Sequence, residues 1–598
     1  LSGDLGELSR DLSLIAPPAN AAHKLTAALL FVGSAPQLAY FQETFLPMIT
    51  MRLDDYKVPG FGLRVSGSFT LKKQDASGDT SSTAKAEKGI KAKTLTVTTQ
   101  IRYKDESDLR ELIRVSEAKG GSGAKVYTIA NTTANAAGIR QDSLSRSYAE
   151  IYFTKENGGL AGHSASDDSW NAGAKTESVR HLKKVSFSGG FGYDYFDGRN
   201  MCGSMFTEPG YYPVDILEFT PGRKVREDYT FTGGVSAVLG NRWTGGLRVE
   251  FEARNYAKRK DLRHKNTRLD FEFSPGVMYH AGRFAVGAVY IVGTNSEKVA
   301  AEGVGPGADL YEAFFDRGLL YGSLEKRGST DIHLSTNGVS GFPVRENTQG
   351  GGVQLQYGPF YADVAYRNRQ GETGESRIIW HLFETHQVTA NAALSLGTAL
   401  RRHFVRVNLD WQTLGTDENI ITTETINGVQ IITIHGSTPT FGRKGLDLGG
   451  EYEFVAPHTD LRAGVGYSQL NRESTLMYPY VKGQKLHFTQ IYASLIRTFG
   501  LWELTLAADY RLGGFTEREK RFETPGVQPG EYPGQLTAYY DYENEYLTAK
   551  RLGAALGLRR NIKRFYIDVF ARYEHGFGLE YVAQPNRVAA TLSVGYNF

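Results

Sequence analysis

Apolar and polar residues alternate along much of the chain after residue 141. Between residues 247 and 254, four apolar side chains alternate with two arginines and two glutamates. The same period of two recurs at residues 405–412, 446–454, 565–574 and 590–598. Because successive side chains of a β-strand point to opposite faces, this pattern predicts strands with one apolar and one strongly polar face.

The length of these segments favours strands that cross a membrane. They run to ~10–12 residues, whereas strands of globular proteins average ~5–6 and tilted transmembrane strands need ~9–11. The connections between them alternate between short and long. Short ones lie at residues 240–242, 281–283, 358–359, 457–458 and 499–500, and long ones at 196–227, 294–350, 414–443 and 513–546. Tight turns at one rim and long loops at the other are typical of outer-membrane barrels, whose turns are periplasmic.

We therefore predict an all-β transmembrane antiparallel β-barrel over residues 142–598, preceded by a small α+β unit over residues 1–141. Roughly 18 strands fit, in agreement with the even strand number of bacterial barrels. Counts of 14 or 16 stay open, because residues 171–180 and 351–357 alternate weakly.

Composition agrees with a barrel and excludes several other classes. The chain has 598 residues, 68 of them glycine, and 12% aromatic residues. Its mean hydropathy is −0.36, and no segment approaches the ~18 apolar residues of a membrane-spanning helix. Only 9 aromatic residues precede residue 142, and 62 follow it, which marks two units with different surroundings. Cys202 is the single cysteine, so an internal disulfide and a multi-cysteine metal site are excluded.

The final segment predicts an assembly signal for the bacterial outer membrane. Apolar side chains share one face of the last strand and end on an aromatic residue. This signal, which the barrel assembly machinery would read, consists of Leu592, Val594, Tyr596 and Phe598.

The polar face of the strands is expected to line the lumen if the apolar face meets lipid. Both signs of charge are present, which suits either a hydrated pore or a network of ion pairs that fills it. The lumen candidates are Arg248, Glu250, Glu252, Arg254, Arg406, Asp410, Asp447, Glu451, Glu453, Asp568, Arg572 and Glu574.

The densest run of basic residues lies between two predicted strands, and we place it on the extracellular rim. Such a loop either is simply solvated or binds lipopolysaccharide phosphates or an acidic partner. Its members are Lys258, Arg259, Lys260, Arg263, His264 and Lys265. Nucleic acid is not an expected partner, since the second unit is nearly neutral and has no aromatic stacking platform.

Catalytic chemistry is weakly supported. His333, Ser335 and Asn337 resemble the motif of outer-membrane phospholipases, but Thr336 interrupts the spacing and a long loop seldom holds a nucleophile and base rigidly. The adjacent Asp167 and Asp168 fit a solvated turn better than a metal or protease site. We therefore predict that the protein is not an enzyme and has no catalytic residue, no bound metal and no cofactor.

Residues from about 135 to the end resemble a Bacteroidota outer-membrane β-barrel family of uncharacterised function. The resemblance lies in residues 135–138 with 148–153 (NAAG and YAEIYF), 166–178, and 255–266 (NYAKRKDLRHKN). Members of that family look like companions of TonB-dependent receptors and surface lipoproteins. The resemblance therefore implies nutrient capture at the bacterial outer membrane and supplies no catalytic residues.

Residues 1–141 resemble small baseplate or tail proteins of contractile-tailed phages, chiefly over residues 92–141. Residues 94–103 alternate as a strand, residues 105–118 have helical spacing, and residues 125–130 read as a returning strand. We expect this unit to fold independently on the periplasmic side. Whether it is native to the barrel polypeptide stays open at this point.

The long connection at residues 294–350 is expected to fold inward or across the mouth, with a short helix at residues 309–320. Taken together, the sequence predicts an outer-membrane barrel that partners a TonB-dependent uptake system, in contact with membrane lipid and lipopolysaccharide. The alternatives are an independent porin-like channel, a structural partner with a closed lumen and, with less support, a barrel hydrolase.

Overall fold

The fold is that of a computed structural model, and it divides into a small sheet and a large barrel. It describes residues 23–28, 62–68, 96–102, 135–141, 146–260, 262–302, 312–326, 341–375, 378–397, 401–426, 429–475, 481–520 and 534–598. Among these residues, no helix is long and apolar enough to cross a membrane.

The small sheet has three antiparallel strands in the order β1–β3–β2. They are β1 (His23–Ala28), β2 (Gly62–Ser68) and β3 (Thr96–Arg102). Strand β3 lies within the strand predicted at residues 94–103. The helix predicted at residues 105–118 and the strand predicted at residues 125–130 lie outside the described residues.

The large unit is a closed antiparallel barrel whose wall has 18 strands, which confirms the predicted fold class and strand number. The wall strands are β4 (Arg146–Asn157), β5 (Asp168–His181), β6 (Val185–Ser204), β7 (Asp215–Val238), β8 (Trp243–Lys258), β9 (Arg263–Ala281), β10 (Phe284–Glu302), β13 (Phe342–Tyr357), β14 (Phe360–Glu375), β15 (Ile378–Gly397), β16 (Arg402–Ile426), β17 (Val429–Ala456), β18 (Thr459–Ser474), β19 (Val481–Phe499), β20 (Trp502–Lys520), β21 (Lys550–Ile562), β22 (Phe565–Phe577) and β23 (Asn586–Asn597). Closure comes from the pairing of β23 with β4, from Val588 opposite Asn157 to Asn597 opposite Tyr148.

Side chains of the wall strands point alternately to the outside and to the inside of the barrel. Large apolar side chains such as Val407 and Leu592 are 53% and 50% exposed on the outside. Polar neighbours of opposite parity, such as Arg406 and Glu453, are 3% and 0% exposed. An apolar exterior and a charged interior are the reverse of a soluble protein and suit a barrel surrounded by lipid.

The short turns at one rim match the prediction, whereas one of the predicted long loops at the other rim does not. All five predicted short connections are tight turns, but the predicted loop at residues 414–443 is wrong. Strands β16 and β17 continue through it as a long two-stranded ribbon. The outward side chains of a strand become polar once it leaves the apolar belt, so apolar alternation ends before the backbone pairing does.

Two insertions at the long-loop end carry secondary structure of their own. Between β10 and β13 lies a hairpin of β11 (Glu312–Asp316) and β12 (Gly322–Lys326), while β10 and β13 also pair directly with each other. Between β20 and β21 lies the helix α1 (Gly534–Thr548). The helix predicted at residues 309–320 is wrong over residues 312–316, because pairing with β7 and β12 makes this segment extended.

A short 3-10 helix at Ala136–Gln141 packs against the inner wall near the short turns. The amide of Asn135, just before it, donates to the carbonyls of Val277 (3.1 Å) and Ala288 (3.2 Å) on β9 and β10. The wall has glycines where this helix packs. A Cβ at Gly246 would overlap the backbone at Ala137, and one at Gly276 would overlap Asn135. This segment, placed by the sequence in the first unit, therefore packs against the barrel wall.

We expect Gly246→Val to displace the 3-10 helix, since the new side chain has only rigid backbone to move. The cost should be about 1–3 kcal/mol, typical of overpacking. Denaturant unfolding in detergent, with hydrogen exchange at residues 136–139, measures it. Gly466→Val is the matched control, because the nearest atom to a Cβ there, the carbonyl oxygen of Leu448, is 3.9 Å away. Equal stability of both variants would contradict this role of Gly246.

Candidate functional site at the mouth of the barrel

The connection between β6 and β7, residues 205–214, folds back onto the inner wall instead of projecting outward. Thr207 donates from its backbone N–H (2.9 Å) and its hydroxyl (3.0 Å) to Glu297. The Tyr212 hydroxyl donates to Asn295 at 2.7 Å, and Asn266 donates to the backbone of Met205 at 2.7 Å. These bonds hold the loop against β9 and β10.

An apolar cluster fills the space between this loop and the wall. It joins side chains of the loop to side chains of the hairpin, of strands β7, β10, β13 and β15, and of the residue just before β9. Its buried members include Met205, Phe206, Tyr212, Leu262, Val299, Phe315, Phe342, Trp380 and Phe383. Phe342 and Trp380 stack with their ring planes 3° apart. This end of the lumen is therefore packed like a protein core.

The hairpin of β11 and β12 reaches across the mouth. Strand β11 pairs with the first residues of β7, although β8, β9 and β10 lie between them in the wall. At the far side, Leu319 at the hairpin turn packs with Leu414 of β16 and Phe441 of β17. Arg317 forms an ion pair with Glu418 of β16 at 3.1 Å. The hairpin thus connects opposite sides of the barrel, in line with the expectation that this connection folds inward.

Helix α1 covers the side of the mouth next to the β4–β5 and β22–β23 connections. The Tyr542 hydroxyl bonds to the backbone of Ala161 (2.9 Å) in the β4–β5 connection. Glu545 accepts the backbone N–H groups of Tyr581 (2.8 Å) and Val582 (2.7 Å) in the β22–β23 connection. The Tyr540 hydroxyl accepts from Gln484 of β19 at 3.0 Å.

The hairpin packs against both other insertions, against the loop 205–214 in the apolar cluster around Phe315 and against helix α1 in a second cluster. Leu320 at the hairpin turn and Phe314 of β11 pack with Leu217 of β7, and Tyr539 and Tyr540 of α1 lie against this cluster. We call the loop 205–214, the hairpin β11–β12 and helix α1 the mouth insertions. Their mutual packing is the central feature of the candidate site.

Two partly buried carboxyl groups lie opposite each other where β11 pairs with β7. Asp316 lies directly opposite Asp215, at the end of β7 beyond the apolar belt. Asp215 accepts from the Ser204 hydroxyl at 2.8 Å and from the Ile216 N–H at 2.7 Å. Burial, reinforced by the charge of Asp316, raises the pKa of Asp215 to about 8. Burial also raises the pKa of Asp316 to about 6, although two backbone N–H groups and Arg472 stabilise its charge.

His163 and Cys202 lie in contact beneath α1, with the sulfur 3.7 Å from Nδ1. Burial lowers the pKa of His163 to about 4. The imidazole is therefore neutral at pH 7 and supplies no positive charge to favour the thiolate that a cysteine nucleophile needs.

The lumen candidates lie on the inner face of the wall, mostly in ion-pair clusters. One cluster joins Arg254 to Glu208 of the β6–β7 loop at 3.0 Å, to Asp228 at 3.7 Å and to Glu252, while Arg248 pairs with Glu250. A second joins Arg406 to Glu451 at 2.6 Å and to Glu453, which also binds Arg462 at 2.6 Å. A third joins Arg572 to Asp509 at 2.8 Å and to Glu574 at 2.7 Å.

The other three lumen candidates differ from one another. Asp410 accepts from the Gln387 amide at 2.8 Å, Asp568 is buried, and Asp447 is exposed. Sequence reasoning missed four members of the three clusters, which are Glu208, Asp228, Arg462 and Asp509. Glu208 was missed because its loop gave no sign that it would enter the lumen.

The basic run is divided between interior and surface, so its description as one exposed rim loop is wrong. Lys258 is 2% exposed and binds Glu218, and His264 is 2% exposed and bonds to Asn266. Arg263 is half-buried, whereas Arg259, Lys260 and Lys265 are exposed. The inward positions follow from strand parity, because Lys258 ends β8 and Arg263 begins β9.

The residues of the predicted assembly signal lie on β23, next to the closing strand β4. Leu592, Val594 and Phe598 are exposed on the outer face, and Tyr596 packs edge-on against Phe598 at 5.1 Å. Their placement fits a surface that another protein can read, and the signal itself stays a prediction.

The remaining chemical candidates add no site. His333, Ser335 and Asn337 lie outside the described residues. Asp167 accepts from the Asn200 amide at 3.1 Å, and Asp168 forms ion pairs with Lys155 and with Arg199 at 3.4 Å. In the described part of the chain, no group of three or more His, Cys, Asp or Glu residues is placed to hold a metal ion.

We expect the β11–β7 contact to weaken as pH rises. A carboxyl group whose pKa is raised by folding favours the folded state most below its unfolded pKa, and that advantage is lost as pH rises through the folded pKa. Protection of amides 314–316 against hydrogen exchange, corrected for intrinsic rates, should therefore fall between pH 5 and pH 9. Asp215→Asn should remove most of the change. Identical pH dependence in both proteins would contradict the assignment.

Two comparisons match the first part of the chain to phage proteins. Residues 48–160 match the family described as the bacteriophage HP1 baseplate complex protein. An uncharacterised 20.8 kDa protein of Haemophilus phage HP1 is 33% identical over 115 residues, which cover 19% of this chain and 60% of that protein. The resemblance to phage baseplate proteins is thus found again at the sequence level.

Solved structures similar to the barrel are outer-membrane receptors and transporters. The ferric preacinetobactin receptor BauA of Acinetobacter baumannii is 8% identical, with a TM-score of 0.34 and coverage of 76% of this chain and 80% of that one. A mutant of the ferric enterobactin receptor PfeA of Pseudomonas aeruginosa is 9% identical, with a TM-score of 0.35 and coverage of 76% and 81%. The RagAB peptide importer is 10% identical, with a TM-score of 0.33 and coverage of 76% and 75%. Because these TM-scores are low, the fold is described from the pairing of its own strands and not from these structures.

The barrel and the segment that enters it coincide with one family match. A family model, described as a family of unknown function (DUF6850), matches residues 136–598. The match begins at the 3-10 helix on the inner wall and runs through β23. The chain therefore belongs to the DUF6850 family.

Proposed function

We propose that this protein is a bacterial outer-membrane barrel that partners a TonB-dependent nutrient-uptake system. The observation that carries the proposal is the packing of the mouth insertions. An independent porin needs a water-filled path through an 18-stranded wall. Here the hairpin reaches across the entrance and packs against both the loop 205–214 and α1. A barrel closed in this way suits a supporting or binding role.

The proposed orientation follows from the rims. Short turns of outer-membrane barrels face the periplasm and long connections face the outside. The mouth insertions and the β16–β17 ribbon then lie on the cell surface, where surface lipoproteins and the outer loops of a receptor are found.

The β16–β17 ribbon offers a surface for such a partner. Residues 420–426 and 429–437 extend beyond the neighbouring strands. Asn419 donates to the carbonyl of Ile379 at the start of β15 (3.0 Å), and Thr475, just after β18, donates to Thr440 (2.8 Å). The exposed apolar side chains of the two extended segments are Ile420, Ile426, Ile431 and Ile434, each between 43% and 53% exposed. Apolar side chains this exposed beyond the lipid belt are typical of protein contact sites.

Purification of the tagged protein from its native membrane in mild detergent tests the partnership. We expect a TonB-dependent receptor and a surface lipoprotein to co-purify. Ile420→Ser with Ile434→Ser should reduce their recovery several-fold, because contact sites lose affinity when central apolar groups are removed. Leu324→Ser, a change at another exposed apolar residue of the same end, is the control. Recovery of no partner, or equal recovery from all variants, would contradict the proposal.

The second candidate function, a porin-like channel, is favoured by the charged inner face of the wall. Conductance in planar bilayers separates the two. The intact protein should conduct weakly, and replacement of residues 312–326 by a short Gly-Ser linker should raise single-channel conductance several-fold, because the hairpin spans the mouth. Shortening the β16–β17 ribbon should leave conductance unchanged. A large conductance of the intact protein would favour the channel instead.

A further inference from the structure

An apolar groove crosses the outer face of strands β7, β8, β9 and β10 near the short turns. Its volume is about 640 Å³, and its walls include Ala237, Leu247, Val277 and Tyr290. Sites for small organic molecules typically measure ~300–1,000 Å³. The groove is therefore large enough for a bound molecule and lies on the face that the proposed orientation turns toward lipid.

The groove exists because the outward positions at its floor are small. Gly245, Pro275 and Ala288 occupy three adjacent strands, and the next outward positions on these strands carry the larger side chains of Leu247, Val277 and Tyr290. A Cβ at Gly245 would meet only the end of the Leu239 side chain. Nothing in the backbone therefore forbids a larger residue there.

Basic side chains surround the end of the groove that faces the short turns. Lys183 and Lys184 lie in the β5–β6 turn, Arg242 in the β7–β8 turn and Arg283 in the β9–β10 turn, and all are exposed. Backbone bonds place these turns side by side, with Val238 donating to Lys184 at 3.0 Å and His280 donating to Arg242 at 2.8 Å. These three turns contain no acidic residue.

An aromatic pair marks the boundary between the apolar groove and this charged rim. The rings of Trp243 and Tyr279 lie 5.0 Å apart on the outer face. Arg242 donates to the Tyr279 hydroxyl at 3.0 Å. Tryptophan and tyrosine concentrate at the level of lipid headgroups, so the rim lies where a phosphate would be.

We propose that this groove binds an anionic glycerophospholipid of the periplasmic leaflet. An acyl chain fills the groove between Ala237 and Tyr290, and the phosphate lies among Lys184, Arg242 and Arg283. Apolar volume and positive charge are thus placed end to end, as they are in the ligand. This inference rests on the proposed membrane location and orientation.

Native mass spectrometry of the full chain in mild detergent tests the site, with phosphatidylglycerol and phosphatidylethanolamine added as the anionic and zwitterionic probes. The wild type should retain phosphatidylglycerol several-fold better than phosphatidylethanolamine. Gly245→Leu should lose most of both, because it fills the groove. Neutralisation by Lys184→Gln, Arg242→Gln and Arg283→Gln should abolish the preference for the anionic lipid.

Two matched controls keep the test specific. Gly450→Leu places the same side chain at another outward glycine, where a Cβ would lie 4.0 Å from Cγ1 of Val465. Lys563→Gln with Arg564→Gln removes two cations from a different short turn. Both controls should retain lipid as the wild type does. Ala288→Leu fills the groove from a second position if Gly245→Leu fails to fold.

Three outcomes would overturn the site: equal retention by the groove variants, equal loss by the controls, or retention of lipopolysaccharide in place of glycerophospholipid. Membrane fractionation of the wild type separates this failure from failure of the proposed function. A protein absent from the outer membrane overturns both, whereas an outer-membrane protein that retains no glycerophospholipid overturns the lipid site alone.

Discussion

Backbone hydrogen bonding from strand to strand around the whole wall is the constraint on which the rest of this structure depends. In hydrocarbon an unpaired N–H or C=O group costs several kcal/mol, so a sheet can cross a membrane only if it has no free edge. Pairing of β23 with β4 removes that edge. Once the ring is closed, each strand must place alternate side chains inside and outside, and the period-two pattern of the sequence becomes a division between lipid and lumen.

The charged inner face and the mouth insertions follow from that division. Arginine and carboxylate side chains forced inward neutralise each other in clusters, as Arg406 does with Glu451 and Glu453. Buried polar groups need such partners, because an uncompensated charge away from water is strongly unfavourable. The insertions contribute partners of their own, since Glu208 enters from the β6–β7 loop to meet Arg254. Packing at the mouth and charge pairing along the wall are therefore parts of one network.

The wall could be predicted from the sequence because its signal is local. Alternation marked the strands, including the weak β5 and β13, and the tight turns followed from short gaps between them. Features that depend on contacts distant in sequence could not be found in this way. Residues 309–320 have apolar positions near helical spacing, yet pairing with Leu217 and its neighbours makes residues 312–316 a strand. Lys258 is part of a basic run, yet strand parity turns it inward to Glu218. The groove was missed because it arises from small residues on four strands that are neighbours only in the folded wall.

A family of unknown function thus includes a barrel whose mouth is crossed by packed insertions and whose outer surface has two apolar features of different kinds. The ribbon isoleucines lie beyond the lipid belt and suit a protein partner, whereas the groove lies within the belt and suits a lipid. Both depend on the assignment of the apolar face to the outside of a membrane barrel.

Spin labels placed one at a time at residues 405–412 of β16, with Cys202 replaced, test that assignment most directly. In lipid bilayers, collisions with oxygen should peak at 405, 407, 409 and 411, because these side chains face lipid. Accessibility to a polar, water-soluble relaxation agent should follow the opposite parity or stay low on both faces. Oxygen accessibility that shows no period of two, or that peaks at 406, 408 and 410, would contradict the account.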